Sequence, residues 1–255
     1  MLRSLRNLEG SALHAVDGEL GSVRRALFDD QGWGLRYLVV QAGGWLLGRE
    51  VLISPLAVKR IDDDGDSVSV DLTRAQVKNS PDVDTHKPVS RQHEIDYAGY
   101  YGYAPYWGGP YMGSTSEHPI MTPIPPSAAD RARADREAEV APEDTHLRST
   151  DEVRGYDIHA SDGDIGHVDD FLFDDDDWTI RYLEVDTRNW WPGGKTVLIA
   201  TQWIDEIDWT ASTVRVALSR DTIRASPAYD AAAGISRDYE AALHAYYRKE
   251  GYWHE

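Results

Sequence analysis

The sequence predicts a mainly β protein: two small β-barrels in tandem, each followed by a short helix and an aromatic tail. Three observations carry that expectation. Residues 10–40 match residues 155–185 in a single register, as Gly18 matches Gly163, with about half of the positions identical. Each copy opens with an Asp-Gly pair between alternating apolar runs, Asp17-Gly18 and Asp162-Gly163, and such a pair supplies the positive φ values of a tight hairpin turn. Each copy then runs on as short apolar segments parted by Gly- and Asp-rich turns, the spacing of a sandwich or barrel rather than of strands alternating with helices.

Gly21 and Gly166 follow the hairpins inside what reads as strand, where glycine marks a bulge or a tight bend. The second strand ends at Asp29-Asp30 and Asp174-Asp175. The third follows Trp33 and Trp178 and carries Arg36-Tyr37-Leu38 and Arg181-Tyr182-Leu183. After an insertion near Trp190–Gly194 the register widens by one residue, and Val68, Val70 and Leu72 match Val214, Val216 and Leu218. Their alternation is that of a half-buried strand. Ser90 and Ser236 stand as N-caps with an acid close behind, which suits the helix dipole. The helices lead to Tyr106-Trp107 and Tyr252-Trp253. The expected organisation is a first repeat at 1–107, a Pro-, Ala- and charge-rich linker at 108–150 and a second repeat at 151–255.

The 255 residues carry a formal net charge of −18 and no cysteine. The acidic balance argues against nucleic acid, whose phosphates call for clustered Lys and Arg. The absence of cysteine excludes a disulfide framework and thiolate metal ligation. Met1–Glu9 has positive charge but lacks the apolar stretch of a signal peptide, and no segment approaches the roughly 18 apolar residues of a membrane span. The expectation is a soluble cytoplasmic protein without membrane insertion.

Candidate chemistry is sparse. Asp174–Asp177 and the run Asp62-Asp63-Asp64-Gly65-Asp66 invite a calcium reading, but neither has EF-hand spacing, and Asp forms turns in its own right. His14 and His159 occupy equivalent positions, which points to a shared structural role; the other histidines lack ligand spacing. No nucleophile elbow, phosphate loop or dinucleotide fingerprint is present. The expectation is therefore no enzyme, no cofactor and no resident metal. Arg36 and Arg181 are expected to pair with a neighbouring Asp near the strand end, with a cation–π contact to Trp33 or Trp178 as the alternative.

The pattern Gly-x-[Leu/Ile]-Gly-x-Val, Phe-Asp and Trp-x-[Leu/Ile]-Arg-Tyr-Leu-x-Val, on Gly18, Gly21, Trp33 and Arg36 and again on Gly163, Gly166, Trp178 and Arg181, resembles the PRC-barrel family. That small barrel is found in the cytoplasmic part of the photosynthetic reaction-centre H subunit and in a ribosome maturation factor. The resemblance implies protein partners and a scaffold role. The alternatives are an acidic-loop binder of a divalent cation or cationic ligand, and an accessory factor in ribosome maturation that contacts a basic ribosomal protein. Arg24-Arg25 stands at the register of Asp169-Asp170, so these four residues are candidates for a contact between barrels that pack on each other or dimerise; drift at solvated positions is the alternative. Residues 108–150 carry too little apolar surface to order themselves. Limited proteolysis should cut there first and leave two resistant fragments; protection equal to that of the repeats would refute the linker.

Overall fold

The computed structural model describes residues 1–46, 48–62, 64–81, 89–104, 146–188, 190, 193–231 and 234–254. Most of the expected linker, together with Tyr106 and Trp107, lies outside the described residues.

In chain order the first half contains β1 (Leu2–Ser4), α1 (Leu5–Leu8), β2 (Ala12–Ala15), β3 (Gly18–Asp29), β4 (Leu35–Ala42), β5 (Glu50–Ile53), β6 (Val58–Ile61), β7 (Ser67–Val70), α2 (Arg74–Lys78) and α3 (Arg91–Tyr101). The second half contains β8 (Leu147–Ser149), α4 (Thr150–Val153), β9 (Asp157–Ala160), β10 (Gly163–Asp174), β11 (Thr179–Asp186), β12 (Thr196–Ala200), β13 (Ile204–Asp208), β14 (Thr213–Val216), α5 (Arg220–Ala225) and α6 (Arg237–Tyr247). The chain forms two compact units, each named here for the copy that supplies most of it. The C-terminal unit comprises Met1–Leu8, Gly32–Leu35 and Ser149–Glu255; the N-terminal unit comprises Glu9–Gln31 and Arg36–Arg148.

The C-terminal unit is a seven-stranded sheet in the order β12-β11-β10-β9-β14-β13, with β1 laid on β10. The N-terminal unit repeats it as β5-β4-β3-β2-β7-β6, with β8 on β3. The mainly β expectation holds, but closed barrels are replaced by open ladders. In each unit the two edge strands are joined by a 3-10 turn, Pro55–Ala57 or Thr201–Trp203, and that sharp connection stands where a closing ladder would run.

β3 and β10 organise each sheet. Each is 12 residues long and serves three neighbours. The first half of β10 pairs with β9, its last residues pair Leu2↔Asp174 and Ser4↔Leu172, and its other edge pairs with β11. The register slips between Leu13 and His14 in one copy and between Asp164 and Gly166 in the other, so the in-strand glycines do mark bulges. Gly21 sits at φ +149°, and a side chain on it would collide with the Gln41 carbonyl oxygen; on Gly166 it would collide with that of Asp186. Backbone thus presses on backbone where only hydrogen fits.

The leading segments were not legible as strands. Leu2-Arg3-Ser4 recurs as Leu147-Arg148-Ser149, and each tripeptide adds an edge to the sheet whose other strands come mainly from the other copy. Equivalent ion pairs fasten them: Arg3 Nε lies 2.5 Å from Asp175 and Arg148 Nε 3.3 Å from Asp30.

Ile158, Ile165, Phe171, Phe173, Leu183 and Ile199 are fully buried in one sheet core; Leu13, Leu20, Phe28, Leu38 and Ile53 fill the other. The expected helices are present. Ser90 Oγ accepts from the His93 amide at 3.3 Å, and Ser236 Oγ from the Tyr239 amide at 3.2 Å; Gly102 closes α3 in the left-handed conformation.

Gly21→Ala and Gly166→Ala should each lower stability by about 1–3 kcal/mol, through the backbone collision at both positions and, at Gly21, the positive φ as well. Gly99, mid-helix in α3 with nothing near its would-be Cβ, is the contrast: Gly99→Ala should stabilise by about 0.5–1 kcal/mol. Chemical denaturation of the three variants tests the pattern.

Candidate interaction site on the helix-covered face

Tyr182 and Glu184 are two residues apart on β11 and so face the same side of the sheet. In the N-terminal unit the corresponding face is an apolar core beneath α3, formed by Leu27, Tyr37, Val39, Leu52, Val89, Tyr97 and Leu147. Tyr97 anchors it: its ring meets Tyr37 edge-on at 5.1 Å, and its hydroxyl accepts from the Ser54 amide at 2.9 Å and donates to the Leu52 carbonyl at 3.1 Å. Beside this core, Glu94 pairs with His146 Nε2 at 2.7 Å and with Arg91 at 3.2 Å.

The C-terminal unit fills the same face with polar chemistry. Glu240, on α6, is buried and accepts from the hydroxyls of Tyr182 at 3.0 Å and Tyr252 at 2.7 Å. His244 Nε2 lies 2.9 Å from the Tyr182 hydroxyl, and its Nδ1 lies 2.8 Å from the Glu250 carbonyl. Burial pushes the His244 imidazole below its ordinary value and the Tyr182 phenol above its own. The network spreads outward to the turn Tyr252–His254. Arg181 stacks over Tyr252 at 4.2 Å, and Arg237 over Trp253 at 4.6 Å and Tyr252 at 5.4 Å. Gly251 leaves room for the indole, which would overlap any side chain there.

Arg36 pairs with Asp29 at 2.6 Å, and Arg181 pairs with Asp177, as expected from their places near strand ends. The aromatic partner of Arg181 is Tyr252 rather than Trp178. Trp178 stacks on Phe173 at 5.3 Å. Trp33 and Trp178 are held at φ 59° and 57°, a conformation uncommon for bulky residues. Reciprocal hydrogen bonds pin them within the C-terminal unit: the Leu35 amide donates to the Trp178 carbonyl at 2.7 Å, and the Ile180 amide to the Trp33 carbonyl at 2.9 Å. Sequence reasoning found the repeated Trp but not this job, which depends on the fold of the tip. Gly18 and Gly163 occupy the hairpins at φ +140° and +135°, as Asp-Gly required.

The charge reversal has a local account in each unit. Arg24 is exposed, and Arg25 pairs with Glu50 at 3.0 Å. Asp169 takes the Arg6 guanidinium at 3.0 Å; Asp170 accepts from Ser4 Oγ at 2.5 Å, the Arg6 amide at 3.2 Å and Arg154 at 3.2 Å. Directly across the ladder from Asp170 stands Glu184. Burial first, then the Asp170 and Asp169 charges, push its carboxyl up to about 7, against the pull of Arg6 and Arg188.

Of the acidic loops, Asp62 takes part in the turn before Gly65 and pairs with Arg60 at 3.0 Å. Asp174, Asp175 and Asp176 present carboxylate oxygens within 4.8 Å of one another. The chain's own cations fill the spot: the Met1 ammonium lies 3.0 Å from Asp174 and 3.3 Å from Asp176, with Arg3 against Asp175. His159 lies 3.3 Å from Asp164, a local contact. No helix among the described residues is long and apolar enough to cross a membrane.

An open sheet with an edge strand from the other copy and a capping helix makes up the C-terminal unit. Residues 147–222 match the model of the PRC-barrel domain, and the chain carries a domain of that family there. It is also 41 % identical over 78 residues to an uncharacterized protein of Deinococcus radiodurans, an alignment covering 30 % of this chain and 27 % of that protein. The chain thus spans about a quarter of that relative's length.

The folded carboxyl of Glu184 keeps its proton to about pH 7, whereas the unfolded one releases it near 4.5. The folded state therefore binds the proton more tightly, and stability falls as pH rises from about 4.5 to 7, by up to about 3 kcal/mol. Glu184→Gln should remove that part of the pH dependence and leave the variant more stable than the parent at pH 8. Parallel urea titrations at pH 5 and 8 check it; an equal drop in both proteins would refute it.

Proposed function

We propose that the chain is a non-enzymatic protein-interaction module that presents the helix-covered face of its C-terminal unit to a protein partner. The observation that carries this is the cluster of Arg181, Arg237, Tyr252 and Trp253. Its guanidinium groups lie over the rings, the two rings meet edge-on at 5.1 Å, and the Arg237 side chain is 54 % exposed. Trp, Tyr and Arg are the residues that dominate binding energy at protein interfaces. Because Glu240 and Tyr182 fix Tyr252 from beneath, the cluster is pre-organised, and little ordering cost falls on association. The family match adds to the reading, since PRC-barrel domains resemble docking modules more than catalysts.

A second reading has its own observation. The three clustered carboxylates Asp174, Asp175 and Asp176 suit a divalent cation or a cationic ligand in place of the Met1 ammonium. A rise in melting temperature with millimolar Ca²⁺ or Mg²⁺ would support it, since a ligand of the native state must stabilise that state.

Trp253→Ala and Arg237→Glu should each weaken association with a captured partner at least tenfold. Substitutions at the exposed Val16 and Leu56 should leave it unchanged. Quantitative pull-down with these variants checks the prediction; equal retention by all four would refute the surface.

A further inference from the structure

We propose that Glu184, Tyr229 and Tyr239 form a binding site for a protonated primary amine, one that the N-terminal unit lacks because Val39 stands at the register of Glu184.

The case begins with that substitution. Val39 is fully buried in the apolar core under α3, whereas Glu184 puts a carboxylate at the same place and is 8 % exposed. No hydrogen bond or ion pair to the Glu184 carboxylate is found among the described residues. Its neighbours are already engaged. Asp170 is taken by Ser4, Arg6 and Arg154, Asp169 by Arg6, and Asp186 by Arg188 at 2.7 Å. Four acids thus face three arginines, and the charge left over is that of Glu184. A buried, unpaired carboxylate is costly unless a cation or a proton joins it.

The Tyr239 hydroxyl is buried without a hydrogen-bond partner among the described residues. Tyr229 packs 6.4 Å from Tyr239, ring to ring, and its amide is fixed to the Thr196 carbonyl at 3.0 Å. Burial first, then the charges of Glu184 and Asp170, push the Tyr229 phenol above its ordinary range. One anionic oxygen pair, two hydroxyls and two ring faces suit an ammonium group, which donates three hydrogen bonds and is attracted to aromatic faces. They do not suit a divalent ion, which calls for several carboxylate oxygens in one sphere; here only one carboxylate is uncommitted.

The full-length protein is titrated by calorimetry at pH 8 with butylammonium and, separately, with Nα-acetyl-lysine methylamide. Binding is expected for butylammonium, with affinity at least tenfold weaker in Glu184→Gln and in Tyr229→Ala. Binding of the lysine derivative as well identifies the source as a peptide side chain, and binding of butylammonium alone identifies it as a free amine. Below pH 7 the affinity should fall about tenfold per pH unit, as the amine displaces a proton from Glu184, and the measured heat should then vary with the buffer's ionisation enthalpy. Tetramethylammonium, which has the charge but no N–H, should bind at least tenfold more weakly. Glu184→Gln keeps the shape of the side chain, and its melting curve checks that it folds. No butylammonium binding at millimolar concentration, undiminished binding by Glu184→Gln, or equal binding of tetramethylammonium would each overturn the site.

Discussion

The fold depends on one close approach, that of Gly21 and Gly166 to the backbone of the adjacent strand. A 12-residue strand must serve three neighbours in each sheet, and a straight strand of that length cannot turn its edge from one partner to the next. The bulge at the glycine supplies the bend. It lets the first half of β10 pair with β9, while its far end remains open to β1. With a side chain in place of hydrogen, Asp186 and Gln41 would be forced away, and the ladder on that edge would part. The exchanged strands, the hairpin tips and the capping helices all follow from where this strand points.

On that shared backbone the two copies carry different chemistry. Where the N-terminal unit packs Val39 of β4 with Tyr97 of α3, the C-terminal unit has Glu184 on β11 and Leu243 on α6 at the same registers, and adds His244 and the Tyr252 turn. The buried acid of the helix is kept in both, as Glu94 and Glu240, each nearly without exposure, but its partners differ. Glu94 meets His146 and Arg91, whereas Glu240 meets two tyrosines and Arg237. A buried acid is tolerable only with its hydrogen bonds in place, so each copy had to rebuild a network around it. An apolar helix–sheet core needs no such matching. The polar face is therefore the more demanding solution of the two and the better candidate for a task beyond stability.

Much of the fold was legible because its signals are local. Asp17-Gly18 and Asp162-Gly163 announce hairpins, Gly21 and Gly166 announce bulges, Ser90 and Ser236 announce helix starts, and all six act within a few residues of themselves. What stayed hidden depends on distant pairing. Leu2-Arg3-Ser4 is too short to read as a strand, and nothing in it tells that it will join β10. Closure of a barrel is a matter of which edges meet, and the sequences of the edge strands β12 and β13 read the same in an open ladder. The repeated Trp33 and Trp178 were visible as a pattern, but their left-handed conformation and reciprocal hydrogen bonds exist only once two tips are brought together. The polar site was partly visible: Asp169-Asp170 stood out by sign. Glu184 did not, because an acid in a strand reads as solvated until its burial in the folded unit is known.

The reciprocal tips also bear on why the chain holds two copies. Leu35 to Trp178 and Ile180 to Trp33 are one hydrogen bond written twice, between equivalent positions, and the leading strands are likewise an equivalent pair, each completing a sheet built mainly from the other copy. Each unit thus contains a piece of both copies. Joined in one chain, the copies keep the shared contacts while their helix-covered faces are free to diverge. Val39 could then remain in one core while an unpaired carboxylate took its place in the other.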